Sequence, residues 1–315
     1  MKIVILDAAT LGSDIDLSLF NTLGEVFIYQ ITPPEAIEER IKNADVCIIN
    51  KVRLNSNNLK SASNLKLICV AATGYDNIEI SYCKSRGIAV CNVAGYSTNS
   101  VAQLTLAYAL SASVNLNSFR NSVADGSYSS GSVQNILTPV YHELAGKVWG
   151  IVGYGGIGRR VAAVASALGC RVVVNKRTPV DDAECLLLDE LLKISDIVSL
   201  HVPLTDETRG MIGARELDLM KNGAFLINVA RGAVTDEQAV ANAVKSKKLG
   251  FFGCDVYSTE PMPENHPFYE IKDFENVCLT PHMAWGAYES RTRCMQEIKQ
   301  NIISFQNGDN RNRIV

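Results

Sequence analysis

At 315 residues, 47% hydrophobic and 20% charged, the chain has enough apolar content for two packed domains. Its net charge of −3 argues against nucleic acid or an acidic membrane as the main ligand, so any cationic site must be local. The opening apolar run at residues 2–7 is too short to span a membrane and lacks a cleavage site, and the longer one at 101–116 is broken by Gln103, Thr105, Ser111, Ser113 and Asn115. Nine cysteines, an odd number without a C-x-x-C pair, lie mostly in apolar runs, which fits reduced core residues of a cytoplasmic protein. Cys254, beside Asp255, is the one thiol to test for reactivity, although a packed thiol is the commoner outcome.

In chain order, strands are predicted at residues 2–7, 25–30, 46–50, 65–71 and 89–92, with helices at 34–42 and 78–86. This alternation is the pattern of parallel βαβ construction. Ser97-Thr98 then caps a long helix from about Asn99, and a Gly/Ser/Asn-rich boundary without sustained period follows at 117–135. A second series begins after Gly146, with strands at 148–152, 171–175, 196–202, 224–229, 251–256 and 277–279. Six strands with intervening helices fit a doubly wound, Rossmann-type dinucleotide domain. Thr235-x-x-Gln238 reads as a capping box, and the last helix, 288–305, stops at Asn307-Gly308 with no added regulatory domain expected after it.

The strand at 148–152 leads into Gly153-x-Gly155-x-x-Gly158, with Gly156 and Ile157 inside the turn and alanines and valines at helical spacing beyond it. Gly153 would permit the turn, Gly155 would admit a pyrophosphate and Gly158 would let helix pack on strand, with the helix N-terminus supplying N–H groups. A ribose-binding acid is expected about 20 residues further on. Lys176, Arg177 and Thr178 stand there instead. Two cations and a hydroxyl could hold a 2′-phosphate, so NADP(H) is expected over NAD(H), against the plainer reading of a solvated basic turn.

Three polar residues fall just beyond strands of the second series, where open α/β sheets bind ligands. Arg231 in Asn228-Val229-Ala230-Arg231-Gly232 can grip a 2-oxo acid through carboxylate and carbonyl oxygens. His282 in Thr280-Pro281-His282 is a candidate proton donor, and Glu260 a carboxylate that would favour its imidazolium form. Each has a bland reading as a solvated loop residue. His201 ends a strand and suits a cofactor-facing or structural role, while His142 and His266 read as surface positions. No metal motif and no G-x-S-x-G occurs.

The chain resembles the D-isomer-specific 2-hydroxyacid dehydrogenases, most closely their glycerate dehydrogenase/hydroxypyruvate reductase branch. The likeness runs nearly end to end, through AlaThrGlyTyrAspAsnIle from Ala72, CysAsnValAlaGlyTyrSerThr from Cys91, GluLeuAlaGlyLys from Glu143, the glycine loop, HisValProLeuThr from His201, GlyCysAspValTyr from Gly253 and ThrProHis from Thr280. It implies a Rossmann-type cofactor domain at 99–284 inserted in a flavodoxin-like α/β substrate domain made of 1–98 and 285–315. It further implies that Arg231 binds substrate, that His282 is the acid/base and that Glu260 is its partner. His201, Pro203, Thr208, Val229, Ala230 and Asp255 would join the glycine loop around the cofactor.

Lys51, Thr73, Gly74 and Trp285 would face the substrate, and a homodimer is expected. Trp285 would limit the substrate side chain, favouring hydroxypyruvate or glyoxylate, unless it only packs. The expected reaction reduces a 2-oxo acid to the D-2-hydroxy acid. Alternatives are a dehydrogenase for another 2-oxo acid such as 3-phosphohydroxypyruvate, or a non-catalytic cofactor-sensing corepressor.

Overall fold

The computed structural model describes all residues, Met1–Val315, and divides into two units, Met1–Ser97 with Trp285–Val315, and Thr98–Ala284. The first unit opens with β1 (Lys2–Ile5), β2 (Glu25–Ile28), α1 (Ile37–Ile41), β3 (Val46–Ile49), α2 (Ser56–Leu59), β4 (Leu67–Val70), α3 (Ile80–Ser85) and β5 (Ala89–Cys91). It is completed by the C-terminal helix Tyr288–Gln306, which packs on β4. The strands are all parallel in the order β2-β1-β3-β4-β5, the flavodoxin-like arrangement.

Both faces of this sheet are covered, which is why its strands read as continuous apolar runs rather than alternating ones. Val46, Ile48, Leu67 and Cys69 join the C-terminal helix residues Met295 and Ile298 in one core, while Cys47, Ile49, Ile68 and Val70 pack on Ile37 and Ile41 of α1 in the other. Beyond the helix, the chain pairs with β5, where Ile314 N–H donates to the Val90 carbonyl at 2.7 Å.

The second unit runs α4 (Thr98–Ser113), α5 (Leu116–Ala124), β6 (Val148–Val152), α6 (Gly156–Ala167), β7 (Arg171–Asn175), β8 (Glu184–Cys185) and α7 (Leu188–Ile194). It continues with β9 (Ile197–Leu200), α8 (Ala214–Leu219), β10 (Ala224–Asn228), α9 (Glu237–Lys245), β11 (Leu249–Cys254) and β12 (Val277–Leu279). Its seven parallel strands lie in the order β12-β11-β10-β9-β6-β7-β8, a doubly wound sheet whose order reverses between β6 and β9. Ligands of such sheets bind beyond the strand ends at that reversal.

Three details differ from expectation. A helix, α5, occupies part of the stretch read as aperiodic; Leu116 and Val123 on it stay exposed, so its apolar positions serve no core within the chain. An additional strand, β8, is only two residues long and half polar, too short to show a period. The N-cap of α9 is Asp236, whose carboxylate accepts from the Ala239 N–H at 3.0 Å, while the Thr235 hydroxyl donates to the Gly232 carbonyl at 3.1 Å. No helix is long and apolar enough to cross a membrane.

Candidate active site

In the second unit the chain leaves β6 through Gly153, whose φ of +98° an L side chain rarely adopts. A Cβ there would also press within 2.7–2.8 Å of the His201 and Val202 backbone. At Gly158 a Cβ would strike the Gly153 carbonyl, so α6 can start this close to the turn only with glycine. At Gly155, by contrast, a Cβ would meet nothing within 4 Å, and no side chain caps α6.

Open space above an uncapped helix N-terminus suits a pyrophosphate, which would be held by the N–H groups around Gly155, Gly156, Ile157 and Gly158. A second observation supports the fit. His201 Nδ1 is buried without a hydrogen-bond partner beside this turn, while Nε2 lies 3.0 Å from the buried Ser199 hydroxyl, which also accepts from Trp149 Nε1 at 3.0 Å. Pro203 and Thr208 belong to the following loop, where the Thr208 hydroxyl donates to the Pro203 carbonyl at 2.7 Å.

Burial pushes the His201 imidazole down to about 3, so it is neutral in the folded protein. Because the unfolded chain binds that proton near pH 6.5, stability contributed by the neutral ring is full above that pH and lost as pH falls toward 3. About 2 kcal/mol should be gone by pH 5. Urea unfolding at pH 8 and pH 5 checks this: His201→Asn should lose that much less than wild type on acidification, and an identical loss would contradict it.

Arg231 follows β10 on a turn built by Asn228, which is fully buried. The Asn228 side chain donates to the Arg231 carbonyl at 3.0 Å and accepts from the Ala230 N–H at 3.0 Å, so the Val229-Ala230 turn has one shape. Gly232 lies flush on the Tyr257-Ser258 backbone, where any Cβ would collide. The guanidinium starts from this fixed base, with Nη1 donating to the Ala230 carbonyl at 2.8 Å.

Glu260 comes from the loop after β11 and His282 from the loop after β12. The structure brings them together, with His282 Nδ1 2.6 Å from Glu260 Oε2. Each is separately held. Glu260 Oε1 accepts from the Tyr257 N–H at 3.0 Å. His282 sits at φ +52°, a strained region for a non-glycine residue, between anchors on both sides. Those anchors converge on Asp255, fully buried, which accepts from the Thr280 hydroxyl at 2.5 Å and from the N–H groups of Met283 at 2.9 Å and Ala284 at 2.8 Å. Burial raises the Asp255 carboxyl above its usual range, against the pull of these donors.

His266, expected at the surface, is buried. Its Nε2 lies 2.8 Å from Glu237 Oε2 and its Nδ1 accepts from the Phe268 N–H at 3.1 Å, so Nε2 carries the proton. Glu237 in turn accepts from the Ser258 N–H at 2.7 Å, so this pair fastens the loop that carries Glu260. A histidine before proline gave no hint of it. Cys254 is a packed thiol with Sγ 3.0 Å from the Val256 carbonyl, and burial pushes its pKa up. No group of three or more His, Cys, Asp or Glu is placed to hold a metal.

In the first unit, Lys51 lies on a loop whose three N–H groups, from Asn50, Lys51 and Val52, converge on the buried Asp7 carboxylate at 2.6–3.1 Å. Thr73, next to Gly74, donates its hydroxyl to the Val93 carbonyl at 2.9 Å, and Asn92 donates to the Thr73 carbonyl at 2.7 Å. Trp285 is half-buried against the core of this unit, edge-on to Tyr96 at 6.4 Å.

Residues 106–284 match the family model described as D-isomer specific 2-hydroxyacid dehydrogenase, NAD binding domain. The chain is 35% identical to glycerate dehydrogenase of Methylorubrum extorquens over 312 residues, covering 99% of this chain and 98% of that one. It is 34% identical to hydroxypyruvate reductase of Blautia hydrogenotrophica over 317 residues, covering 98% of each. Among solved structures, D-lactate dehydrogenase from Aquifex aeolicus, complexed with NAD and lactic acid, superposes with a TM-score of 0.86 at 29% identity over 98% of this chain and 96% of that one.

These findings overturn the expected preference for NADP(H). The matching domain is described as NAD binding and the Aquifex relative holds NAD. Lys176, Arg177 and Thr178 leave β7 half-buried to exposed, as a solvated basic turn does. Cations there would tolerate a 2′-phosphate without requiring one, and the missing acid costs NAD one ribose contact rather than its site. A matching cofactor domain, and curated relatives that align over almost the whole length, leave no room for a chance likeness: the chain belongs to the D-isomer-specific 2-hydroxyacid dehydrogenases, NAD(P)-dependent oxidoreductases acting on small 2-oxo and 2-hydroxy acids.

Proposed function

We propose that this chain reduces hydroxypyruvate to D-glycerate, or glyoxylate to glycolate, with His282 as acid/base, Glu260 as its partner and Arg231 as the substrate clamp. The 2.6 Å contact between His282 Nδ1 and Glu260 Oε2 carries this reading. With Nδ1 facing a carboxylate, proton transfer falls to Nε2, and the carboxylate stabilises the imidazolium that gives up the proton. The nicotinamide, when bound, supplies the hydride chemistry.

As the substrate carbonyl oxygen gains charge, His282 delivers a proton to it and Arg231 stabilises it from a fixed base. In this reading Lys51, Thr73 and Gly74 of the first unit also bind substrate, from loops tied by Asp7 and Asn92. The substrate choice rests on the relatives named for glycerate and hydroxypyruvate, and on a tryptophan at position 285 close in sequence to His282. Steady-state rates with NADH on hydroxypyruvate, glyoxylate, pyruvate and 2-oxoisocaproate test it. The two small polar acids should give the highest kcat/KM; a preference for 2-oxoisocaproate would overturn it.

The exposed apolar side chains of Leu116, Val123, Val133, Leu137, Val140 and Tyr141 support a homodimer, since lone chains rarely leave so many within a short segment in water. Sedimentation equilibrium should give twice the chain mass; a monomer at micromolar concentration would exclude it. Nine free thiols, most of them buried, support the cytoplasm as its compartment in this reading.

A further inference from the structure

Two tyrosines outside every assigned role converge on the segment that carries His282. Tyr108 rises from α4, 3% exposed, and its hydroxyl oxygen lies 2.5 Å from the Thr280 hydroxyl. Thr280 has a single hydroxyl proton, and that proton goes to Asp255 at 2.5 Å. Tyr108 is therefore the donor, and the chain runs Tyr108 to Thr280 to Asp255. Asp255 then accepts from the Met283 and Ala284 amides on the far side of His282.

Tyr257 works from the opposite side. Its hydroxyl donates to the Thr280 carbonyl at 2.9 Å, the same carbonyl that accepts from the His282 N–H at 3.0 Å. Its own N–H holds Glu260 Oε1 at 3.0 Å. One residue thus grips both members of the acid–base pair. Burial pushes both phenols above their usual range, so each remains an O–H donor at working pH.

We propose that Tyr108 and Tyr257 are positioning residues: their hydroxyls lock Thr280, hold His282 in its strained φ of +52°, and keep its imidazole in line with Glu260. Losing either hydroxyl leaves the ring, its packing and the glycine loop intact but lets the histidine relax toward ordinary backbone geometry. The inference rests on His282 being the acid/base.

Tyr108→Phe and Tyr257→Phe remove one oxygen each. Each should lower kcat about five- to tenfold, what one hydrogen bond in the positioning chain would give. KM and NADH affinity should stay within about twofold, since each hydroxyl is engaged by Thr280. Hydrogen exchange at the Met283 and Ala284 amides should quicken.

Thr280→Val, which breaks the first chain at its middle, should repeat the Tyr108→Phe loss, and Thr280→Ser, which keeps the hydroxyl, should restore activity. The proposal is overturned if both phenylalanine variants keep kcat within twofold of wild type, or if Thr280→Val does. His282→Asn separates the two readings. Turnover retained in that variant removes the acid/base assignment, whereas an inactive His282→Asn beside fully active phenylalanine variants removes only the positioning role.

Discussion

His282→Asn should lower kcat for 2-oxo acid reduction by about 10²- to 10⁴-fold, the range general acid catalysis contributes, while leaving NADH affinity near wild type. Asparagine is the right replacement because the position has a φ of +52°, which asparagine tolerates better than alanine does. The Thr280 and Asp255 anchors bind backbone rather than the imidazole, so the loop should keep its course. What disappears is the ring that faces Glu260 at 2.6 Å. Steady-state kinetics with hydroxypyruvate, beside NADH titration by fluorescence, measures both quantities. Near-normal turnover with intact cofactor binding would remove His282 from the chemistry.

Arg231→Lys should be almost as damaging, lowering kcat/KM about 10²- to 10³-fold. Lysine keeps the charge, so the loss isolates the planar fork that would hold carboxylate and carbonyl oxygens together. Charge-assisted hydrogen bonds contribute about 1.5–3 kcal/mol each, and losing one together with alignment of the other gives a deficit of that size. The turn beneath should survive, since Asn228 bonds only the backbone of residues 230 and 231 and Gly232 is untouched. Kinetics on hydroxypyruvate decides it: kcat/KM within threefold of wild type would reduce Arg231 to a simple cation.

The parallel strands were legible in the sequence because burial on both sheet faces writes itself as short unbroken apolar runs, as in Val-Cys-Ile-Ile of β3 and Leu-Ile-Cys-Val of β4. The glycine loop was legible for a related reason: Gly153 and Gly158 meet steric demands that only glycine satisfies. Elements that serve no core left little trace, as β8 and the exposed α5 show.

The contacts that fix the site were hidden by sequence distance. His282 meets Glu260 across 22 positions, and Thr280 meets Tyr108 across 172, with only a single tyrosine in α4 to mark it. His266 misled because its partner, Glu237, lies 29 positions earlier on α9. The cofactor preference misled for a different reason. Lys176 and Arg177 report local charge, and charge at a solvated turn does not distinguish a required phosphate from a tolerated one.

Transfer of isotope from C4-deuterated NADH tests the central claim most directly. With hydroxypyruvate as acceptor, wild-type enzyme and both C4 hydrogens replaced by deuterium, the label should appear at C2 of the product, and that product should be the D isomer of glycerate. An L product, or glycerate without deuterium at C2, would contradict it.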